Sequence, residues 1–354
     1  MLFTTLGRTE IGARGCGWSL ANAARFLVCL LTLAGVSSAQ SPIPSSTTPA
    51  SAPPATTSQP ASDAAPPQDD ESPTFVFKKE VEEVVLHAIV VDDQNHPITS
   101  LARDNFAVYE DGKLQELTSF RKERVPVALG ILIDNSGSML PKREKVNEAA
   151  LELVDASQQE DRVFVVNFGE DAFLDQDYTQ DVGKLRSALQ RVETRGSTAL
   201  YDAIIAAVDH LKQSSTLQKN VLLVVTDGQD NASQATFQEV LRKLQSNNGP
   251  VLYAIALDQN ERREDGNRQS LRTLCEKTGG TAFFPSSLDE VQSIARTIAQ
   301  DIRSQYVIGY RSSNPRTSGS YHAIQVLAHD GPARLRVATR TGYYSGNNGS
   351  EESH

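Results

Sequence analysis

The sequence predicts an α/β fold in which an open, doubly wound and mostly parallel sheet lies between two short β-rich segments. The first observation is a set of near-continuous apolar runs, which are typical of parallel strands covered on both faces. They occupy residues 127–133, 163–168, 221–225 and 251–257. Apolar residues at helical spacing separate these runs, so strands and helices alternate. The flanking segments instead show short strand patterns bounded by turn residues.

Composition and charge narrow the class of protein. The chain has 354 residues, of which 39% are hydrophobic and 22% charged, which is typical of a soluble protein of about two domains. Its formal net charge of −10 argues against a nucleic-acid or anionic-membrane partner but not against binding a cation. Two of the three cysteines precede residue 40, so one cysteine, Cys275, remains downstream. A single cysteine can form neither a disulfide scaffold nor a Cys-rich zinc site. Cys275 shares a helical face with Leu271 and Leu274 and is expected to be a buried thiol.

Residues 1–39 resemble an export signal. Arg8, Arg14 and Arg25 precede an apolar run of 11 residues at 26–36, and small residues follow before Gln40. A run of this length is short for a membrane span, and no later stretch is apolar enough to cross a membrane. We therefore expect an exported, periplasmic or extracellular protein, with an uncleaved N-terminal anchor as the alternative.

Residues 40–74 are predicted to be a disordered linker. Pro, Ser, Thr and Ala make up 27 of the 34 residues at 41–74, so this segment cannot bury enough apolar surface to fold. It is interpreted either as a tether that holds the folded part away from a membrane or wall, or as a spacer without a specific role.

The folded part is predicted in three pieces. Residues 75–124 and 305–344 are β-rich, and residues 125–304 form the α/β domain. Each β-rich piece is too small to bury a good core alone, so our hypothesis is that the two form one β-sandwich interrupted by the α/β domain. The polar residues 345–354 are expected to be a disordered tail.

The residues that indicate chemistry follow strand ends or open a helix. Asp134, Ser136 and Ser138 come after the first core strand, Thr198 opens a helix, and Asp227 follows the strand at 221–225. In a doubly wound sheet these loops converge at one edge. Their oxygen-only donors suit a hard cation, Mg²⁺ or Mn²⁺, rather than zinc.

The pattern Asp-x-Ser-x-Ser, followed by Thr198 and by Asp227 in Thr-Asp-Gly, resembles the metal-ion-dependent adhesion site of von Willebrand factor type A domains. The resemblance implies that Ser136 and Ser138 coordinate the ion directly, and Thr198 directly or through water. Asp134 and Asp227 would hold metal-bound waters, and one position would remain for an Asp or Glu of a protein partner. Residues 139–142 are not acidic, so no second ion is expected.

The flanks carry a further resemblance. Residues 105–113, 305–310 and 341–344 are similar to the bacterial family related to von Willebrand factor type A that is described from acidobacteria.

Several residues around the predicted ligands have two interpretations. Gly137 and Gly228 either allow a tight turn and a close backbone approach or are ordinary loop glycines. Asp202 either hydrogen-bonds to a ligand or is a solvated helix residue, and Asp230 lies at the rim of the site. The polar loop at 258–267 either contributes to partner specificity or is merely solvated.

Catalysis is not predicted. The sequence has no Gly-x-Ser-x-Gly elbow and no phosphate-binding Gly-x-x-x-x-Gly-Lys loop, and its six histidines lack metal-ligand spacing. The leading hypothesis is an exported, non-enzymatic protein that binds a protein partner through a Mg²⁺-dependent adhesion site. The alternative is a structural or assembly scaffold of an envelope complex in which the metal is secondary.

Overall fold

The computed structural model describes residues 83–122, 125–190, 196–257, 265–314 and 317–346. All of them belong to one compact unit, Val76–His354. The predicted signal and linker lie outside the described residues, as do most of the loop at 258–267 and of the tail. Within the described ranges, no helix is long and apolar enough to cross a membrane.

The strands and helices of the described residues follow the alternation that the sequence predicts. The strands are β1 (Glu83–Val91), β2 (Phe106–Glu110), β3 (Lys113–Gln115), β4 (Leu117–Arg121), β5 (Val127–Asp134), β6 (Arg162–Phe168), β7 (Ala172–Thr179), β8 (Lys219–Thr226), β9 (Val251–Ala256), β10 (Ala282–Phe283), β11 (Tyr306–Arg311), β12 (Tyr321–Asp330), β13 (Ala333–Ala338) and β14 (Gly342–Tyr344). The α-helices are α1 (Arg143–Asp155), α2 (Val182–Leu189), α3 (Leu200–Ser214), α4 (Phe237–Leu244), α5 (Asp265–Thr278) and α6 (Val291–Arg303), and short 3-10 turns span Arg103–Asn105, Gly137–Lys142 and Leu288–Glu290.

The central sheet has six strands in the order β10-β9-β8-β5-β6-β7. All neighbours pair in parallel except β7, which runs antiparallel to β6 at the edge. This arrangement confirms the predicted α/β fold with a mostly parallel sheet. The sequence analysis did not predict β7, because its polar segment carries no continuous apolar run.

Helices cover both faces of the central sheet, as a doubly wound fold requires. Alternate side chains of β5 separate to the two faces, with Ile131 on one face and Leu132 on the other. Helices α1, α2 and α6 pack on the first face, and α3, α4 and α5 on the second. Cys275 is fully buried in the second core, as expected.

The strands outside the central sheet form one antiparallel sheet, here called the flanking sheet. Its strands follow the order β3-β2-β12-β13-β1-β11-β4, with β14 paired to β12. Strand β1 pairs with β11 along its first part and with β13 along its last part. Strands from before and after the α/β segment therefore pair with each other around a shared apolar core. The domain boundaries at 124/125 and 304/305 stay predictions.

The flanking sheet contacts the end of the α/β part at which helices α4 and α5 finish. The backbone N–H of Tyr344 donates to the carbonyl of Gln245 at 2.8 Å, and that of Thr341 donates to the carbonyl of Lys277 at 3.2 Å. Because helices in this fold run opposite to the strands, these contacts lie at the edge away from the strands' carboxyl ends. Ser345, the first residue of the predicted tail, is buried there, and its backbone N–H donates to Ser320 at 2.9 Å.

Candidate metal centre

The predicted ligands follow two adjacent strands and precede one helix. Asp134 is the last residue of β5, and Asp227 comes directly after β8. These two strands pair in parallel, so both residues lie at the carboxyl edge of the sheet. Thr198 lies two residues before α3 and is 3% exposed.

Asp134 is fully buried at the floor of the site. Its Oδ2 accepts a hydrogen bond from the Thr226 hydroxyl at 2.6 Å, and its Oδ1 accepts one from the backbone N–H of Ser136 at 2.8 Å. Burial raises the pKa of Asp134 above its usual value, although these hydrogen bonds oppose the shift. A buried carboxylate of this kind is stabilised in its ionised form by a nearby cation.

Ser136, Ser138 and Asp227 form a continuous chain of contacts. The two serine hydroxyls lie 3.2 Å apart, and the Ser138 hydroxyl donates to Asp227 Oδ1 at 2.8 Å. Both serines belong to the turn that leads from β5 into α1. The structure therefore brings together the Asp-x-Ser-x-Ser motif and the aspartate that lies about 90 residues later.

Thr198 faces the same site across Gly228. A Cβ atom added at Gly228 would lie 3.3 Å from Thr198 Oγ1 and 3.9 Å from Asp134 Oδ2. The missing side chain at Gly228 thus leaves the space between these two oxygens open. Asn231, which the sequence analysis did not include in the site, fixes Thr198: its Oδ1 accepts the Thr198 backbone N–H at 2.8 Å, and its own N–H donates to the Thr198 carbonyl at 3.0 Å.

Asp202 and Asp230 support the loop after β8. The Asp202 carboxylate accepts the backbone N–H groups of Gln234 at 2.8 Å and Ala235 at 3.0 Å. Asp230 accepts the backbone N–H of Tyr201 at 3.2 Å, in the first turn of α3. These contacts tie the loop to the start of α3, where Thr198 lies.

Gly137 differs from Gly228 in its surroundings. It has no positive φ, and a Cβ atom there would have no neighbour within 4 Å. The geometry gives no support to the expectation that Gly137 is needed for a tight turn. For Gly228 it favours the close backbone approach over an ordinary loop glycine.

Lys142 adds a positive charge that the sequence analysis did not assign to the site. Its ammonium forms an ion pair with Asp227 Oδ2, and the side chains of Lys142 and Asp227 are 19% and 1% exposed. No signal in the motif indicates this contact, because it depends on the path of the turn after Ser138.

The donor set fits a hard divalent cation. Asp134, Ser136, Ser138, Thr198 and Asp227 offer carboxylate and hydroxyl oxygens only, the ligand type that Mg²⁺ and Mn²⁺ prefer. The space between Thr198 and Asp134 that a Cβ atom of residue 228 would crowd fits the same conclusion. The residues at this edge of the sheet therefore fit a hard divalent cation.

A second group of metal-ligand types lies in the flanking sheet and contains none of the predicted ligands. Glu110, Asp111 and His322 place one ligand atom each within 4.8 Å of one another. Their contacts include one another and nearby protein groups: Glu110 accepts the Tyr310 hydroxyl at 2.6 Å, Asp111 accepts the backbone N–H of Ala323 at 2.8 Å, and His322 Nδ1 lies 2.9 Å from Asp111 Oδ2. A network satisfied in this way stabilises the sheet.

Comparison with known proteins is consistent with the fold. Residues 129–297 match the family model described as von Willebrand factor type A domain. An uncharacterised protein of Synechocystis sp. is 26% identical over 110 residues, which cover 30% of this chain and 26% of that protein. Calcium-activated chloride channel regulator 1 of Sus scrofa is 26% identical over 167 residues, which cover 45% of this chain and 17% of that protein. The chain thus matches 26% and 17% of the length of these two relatives.

Two solved structures are similar to parts of this chain. One is von Willebrand factor type A from Catenulispora acidiphila, with a TM-score of 0.46 and 14% identity over 77% of this chain and 76% of that chain. The other is proximal thread matrix protein 1 from the mussel byssus with a zinc-occupied metal-ion-dependent adhesion site, with a TM-score of 0.45 and 18% identity over 56% of this chain and 50% of that chain.

Proposed function

The chain carries a von Willebrand factor type A domain over residues 129–297, and on this basis we propose that it binds a protein partner through a Mg²⁺ ion at the candidate metal centre. Domains of this family commonly mediate protein–protein interaction and are typically non-enzymatic. The partner would offer an Asp or Glu carboxylate to the ion. The predicted signal at 1–39 extends the proposal to an exported, periplasmic or extracellular protein.

The observation that carries the proposal is the convergence of five oxygen donors at the carboxyl edge of the central sheet. Ser136 and Ser138 would coordinate the ion directly, and Thr198 directly or through water. Asp134 and Asp227 would hold metal-bound waters. The bound ion would supply a positive charge strong enough to attract a carboxylate, because neither aspartate would neutralise it by direct coordination.

The position of the flanking sheet supports a partner-binding role for this edge. Its described contacts with the helices of the α/β part, at Gln245 and Lys277, lie at the opposite edge of the central sheet. These contacts therefore do not occupy the carboxyl edge, where the proposed partner would bind. Asp202 and Asp230 would act indirectly, by holding the loop that carries Asp227 and Gly228.

Affinity capture from an envelope extract, followed by mass spectrometry, tests the proposal. We expect partner capture by the purified chain to be lost in EDTA, restored by Mg²⁺ and lost in Asp134→Ala. Asp155→Ala is the matched control, because Asp155 is an exposed residue at the far end of α1. Capture that survives both EDTA and Asp134→Ala would contradict metal-mediated binding and favour the scaffold alternative.

A second experiment tests the ligands without a partner. Titration of the purified chain with Mg²⁺ should give a binding isotherm that is lost in Asp227→Ala and kept in Asp155→Ala. Equal Mg²⁺ affinity of Asp227→Ala and the unmodified chain would refute the assignment of Asp227.

A further inference from the structure

Both carboxylate oxygens of Asp227 already have donors from the chain itself. The Ser138 hydroxyl donates to Oδ1 at 2.8 Å, and the Lys142 ammonium contacts Oδ2. The Asp227 side chain is only 1% exposed, so its charge is neutralised inside the protein by this one ammonium. The Lys142 ammonium therefore stabilises the same carboxylate charge that a cation at the metal centre would stabilise.

The local sequence explains why Lys142 reaches the site. Ser138 and Lys142 are four residues apart in the turn Gly137–Lys142, which continues directly into α1. This turn is a 3-10 helix, in which residues four apart do not share a face, so the path of the turn into α1 is what brings both side chains to Asp227.

The neighbouring cation does not share this contact. Arg143 is 4% exposed, and its guanidinium donates to Asn167 Oδ1 at 3.2 Å and to the Leu189 carbonyl at 3.1 Å. Lys142 is thus the basic residue of this turn that contacts a predicted ligand directly. Its side chain is 19% exposed, which gives the ammonium a path to solvent without opening the apolar core.

We propose that Lys142 is an internal competitor of the divalent cation: its ammonium holds Asp227 when the metal is absent and is displaced when the metal binds. This inference rests on the proposed metal-binding function and deepens it. An ammonium and a divalent ion repel each other at short range, and both are attracted to the Asp227 carboxylate, the ion through the water that Asp227 would hold. Lys142 therefore weakens the intrinsic metal affinity of the site and keeps the metal-free site folded.

The test is calorimetric titration of the purified full chain with Mg²⁺ alone, after removal of metal with EDTA and dialysis. Lys142→Met keeps the apolar stem and removes the charge, and we expect it to bind Mg²⁺ about tenfold more tightly than the unmodified chain. Lys142→Arg keeps the charge and should bind no more tightly than the unmodified chain.

Lys145→Met is the matched control. Lys145 lies in the first turn of α1, is paired with Glu148 at 3.2 Å and is about half exposed, so its loss changes the net charge equally without touching the site. Its Mg²⁺ affinity should stay within about twofold of the unmodified chain, because solvent screens an exposed charge. Equal tightening in Lys142→Met and Lys145→Met would overturn the proposal, because the effect would then reflect net charge alone.

A second measurement separates competition from a merely structural role. In EDTA, Lys142→Met should unfold at a lower temperature than the unmodified chain, since Asp227 would be buried without its cation. In saturating Mg²⁺ this difference should disappear. Lys142→Gln, which keeps a hydrogen-bond donor, provides the same comparison if Lys142→Met does not fold.

Three outcomes are distinguishable. Tighter Mg²⁺ binding together with lower metal-free stability supports the proposal. Lower metal-free stability with unchanged or weaker Mg²⁺ binding overturns it and leaves Lys142 a structural residue. If neither the unmodified chain nor the variant binds Mg²⁺, the proposed function itself fails, and the competition fails with it.

Discussion

Gly228→Ala offers the sharpest test of the metal centre, because the structure predicts a small effect on stability and a larger loss of metal affinity. The added Cβ would lie 3.3 Å from Thr198 Oγ1 and 3.9 Å from Asp134 Oδ2. Thr198 must then move by a few tenths of an ångström. Such a shift costs the fold about 1 kcal/mol or less, and the reduced entropy of the unfolded chain offsets part of this cost.

The same displacement has a larger consequence for a bound ion. Mg²⁺ requires oxygen ligands at about 2.0–2.1 Å in near-ideal octahedral geometry. Moving a ligand hydroxyl by a few tenths of an ångström should therefore lower Mg²⁺ affinity about tenfold, which is about 1.4 kcal/mol. Ca²⁺ accepts longer and more variable distances, so its affinity should fall less, and the preference for Mg²⁺ over Ca²⁺ should shrink.

Gly137→Ala is the matched control in the same site. A Cβ at Gly137 has no neighbour within 4 Å, and the residue has no positive φ. Calorimetric titration with Mg²⁺ and with Ca²⁺, and thermal unfolding in EDTA, should leave Gly137→Ala close to the unmodified chain. Mg²⁺ binding by Gly228→Ala as tight as by the unmodified chain would refute the predicted displacement of Thr198. An equal loss of affinity in both alanine variants would refute it as well.

Three further predictions concern other parts of the chain. Glu110→Ala removes a fully buried carboxylate that accepts two tyrosine hydroxyls. Denaturant unfolding should show that this variant lowers the free energy of unfolding by about 2–4 kcal/mol. The control Glu116→Ala, at an exposed residue, should lower it by less than about 0.5 kcal/mol. Burial raises the pKa of Asp301 from 3.8 to about 6, so the carboxyl ionises more easily in the unfolded chain, and this lowers the free energy of unfolding as the pH rises from about 4 to above 6. Asp301→Asn should therefore raise the free energy of unfolding by about 2 kcal/mol at pH 7.5 and by almost nothing at pH 4, and a pH-independent gain would contradict this. Asn231→Ala should weaken Mg²⁺ binding severalfold in a titration, because Thr198 loses the side chain that fixes it; unchanged affinity would show that the loop holds Thr198 without Asn231.

The central sheet was largely predictable because its strands are buried on both faces. Each strand of β5, β6, β8 and β9 is a nearly continuous apolar run, and this pattern indicates a parallel strand directly. The edge strand β7 could not be predicted in this way. It is exposed or half-buried along its whole length, and even Phe173 is 57% exposed, so burial left no periodic signal in its sequence.

The buried network around Glu110 shows a different limit. Residues 106–112 predict a strand and a turn, and the structure has both at β2 and Asp111–Gly112. Nothing local predicts that Glu110 is fully buried, because its partners Tyr310 and Tyr343 lie about 200 residues away along the chain. A buried carboxylate is tolerated only where such donors meet it, and sequence spacing does not report that meeting.

In the site, the motif predicted which ligands lie together, whereas the contacts that depend on turn and loop geometry could not be predicted. The order of Asp134, Ser136, Ser138, Thr198 and Asp227 was enough to place them at one edge, since parallel strands bring their carboxyl ends together. Asp202 accepts backbone N–H groups of the loop after β8, and Asp230 accepts the backbone N–H of Tyr201 in α3; the motif does not specify either contact. Lys142 contacts Asp227 only through the turn geometry after Ser138.

The acidic character of the chain gives Lys142 its importance. With a net charge of −10, the protein repels an acidic partner at long range, so an attractive surface must come from positive charge concentrated at one place. The Lys142 ammonium is paired with Asp227, so this positive charge is already used within the protein. With metal, the proposed displacement would place the ion and the released ammonium at the same edge. Metal binding would add the charge of the ion and also leave the Lys142 ammonium unpaired at that edge. Partner binding would then depend on metal loading rather than on the surrounding surface.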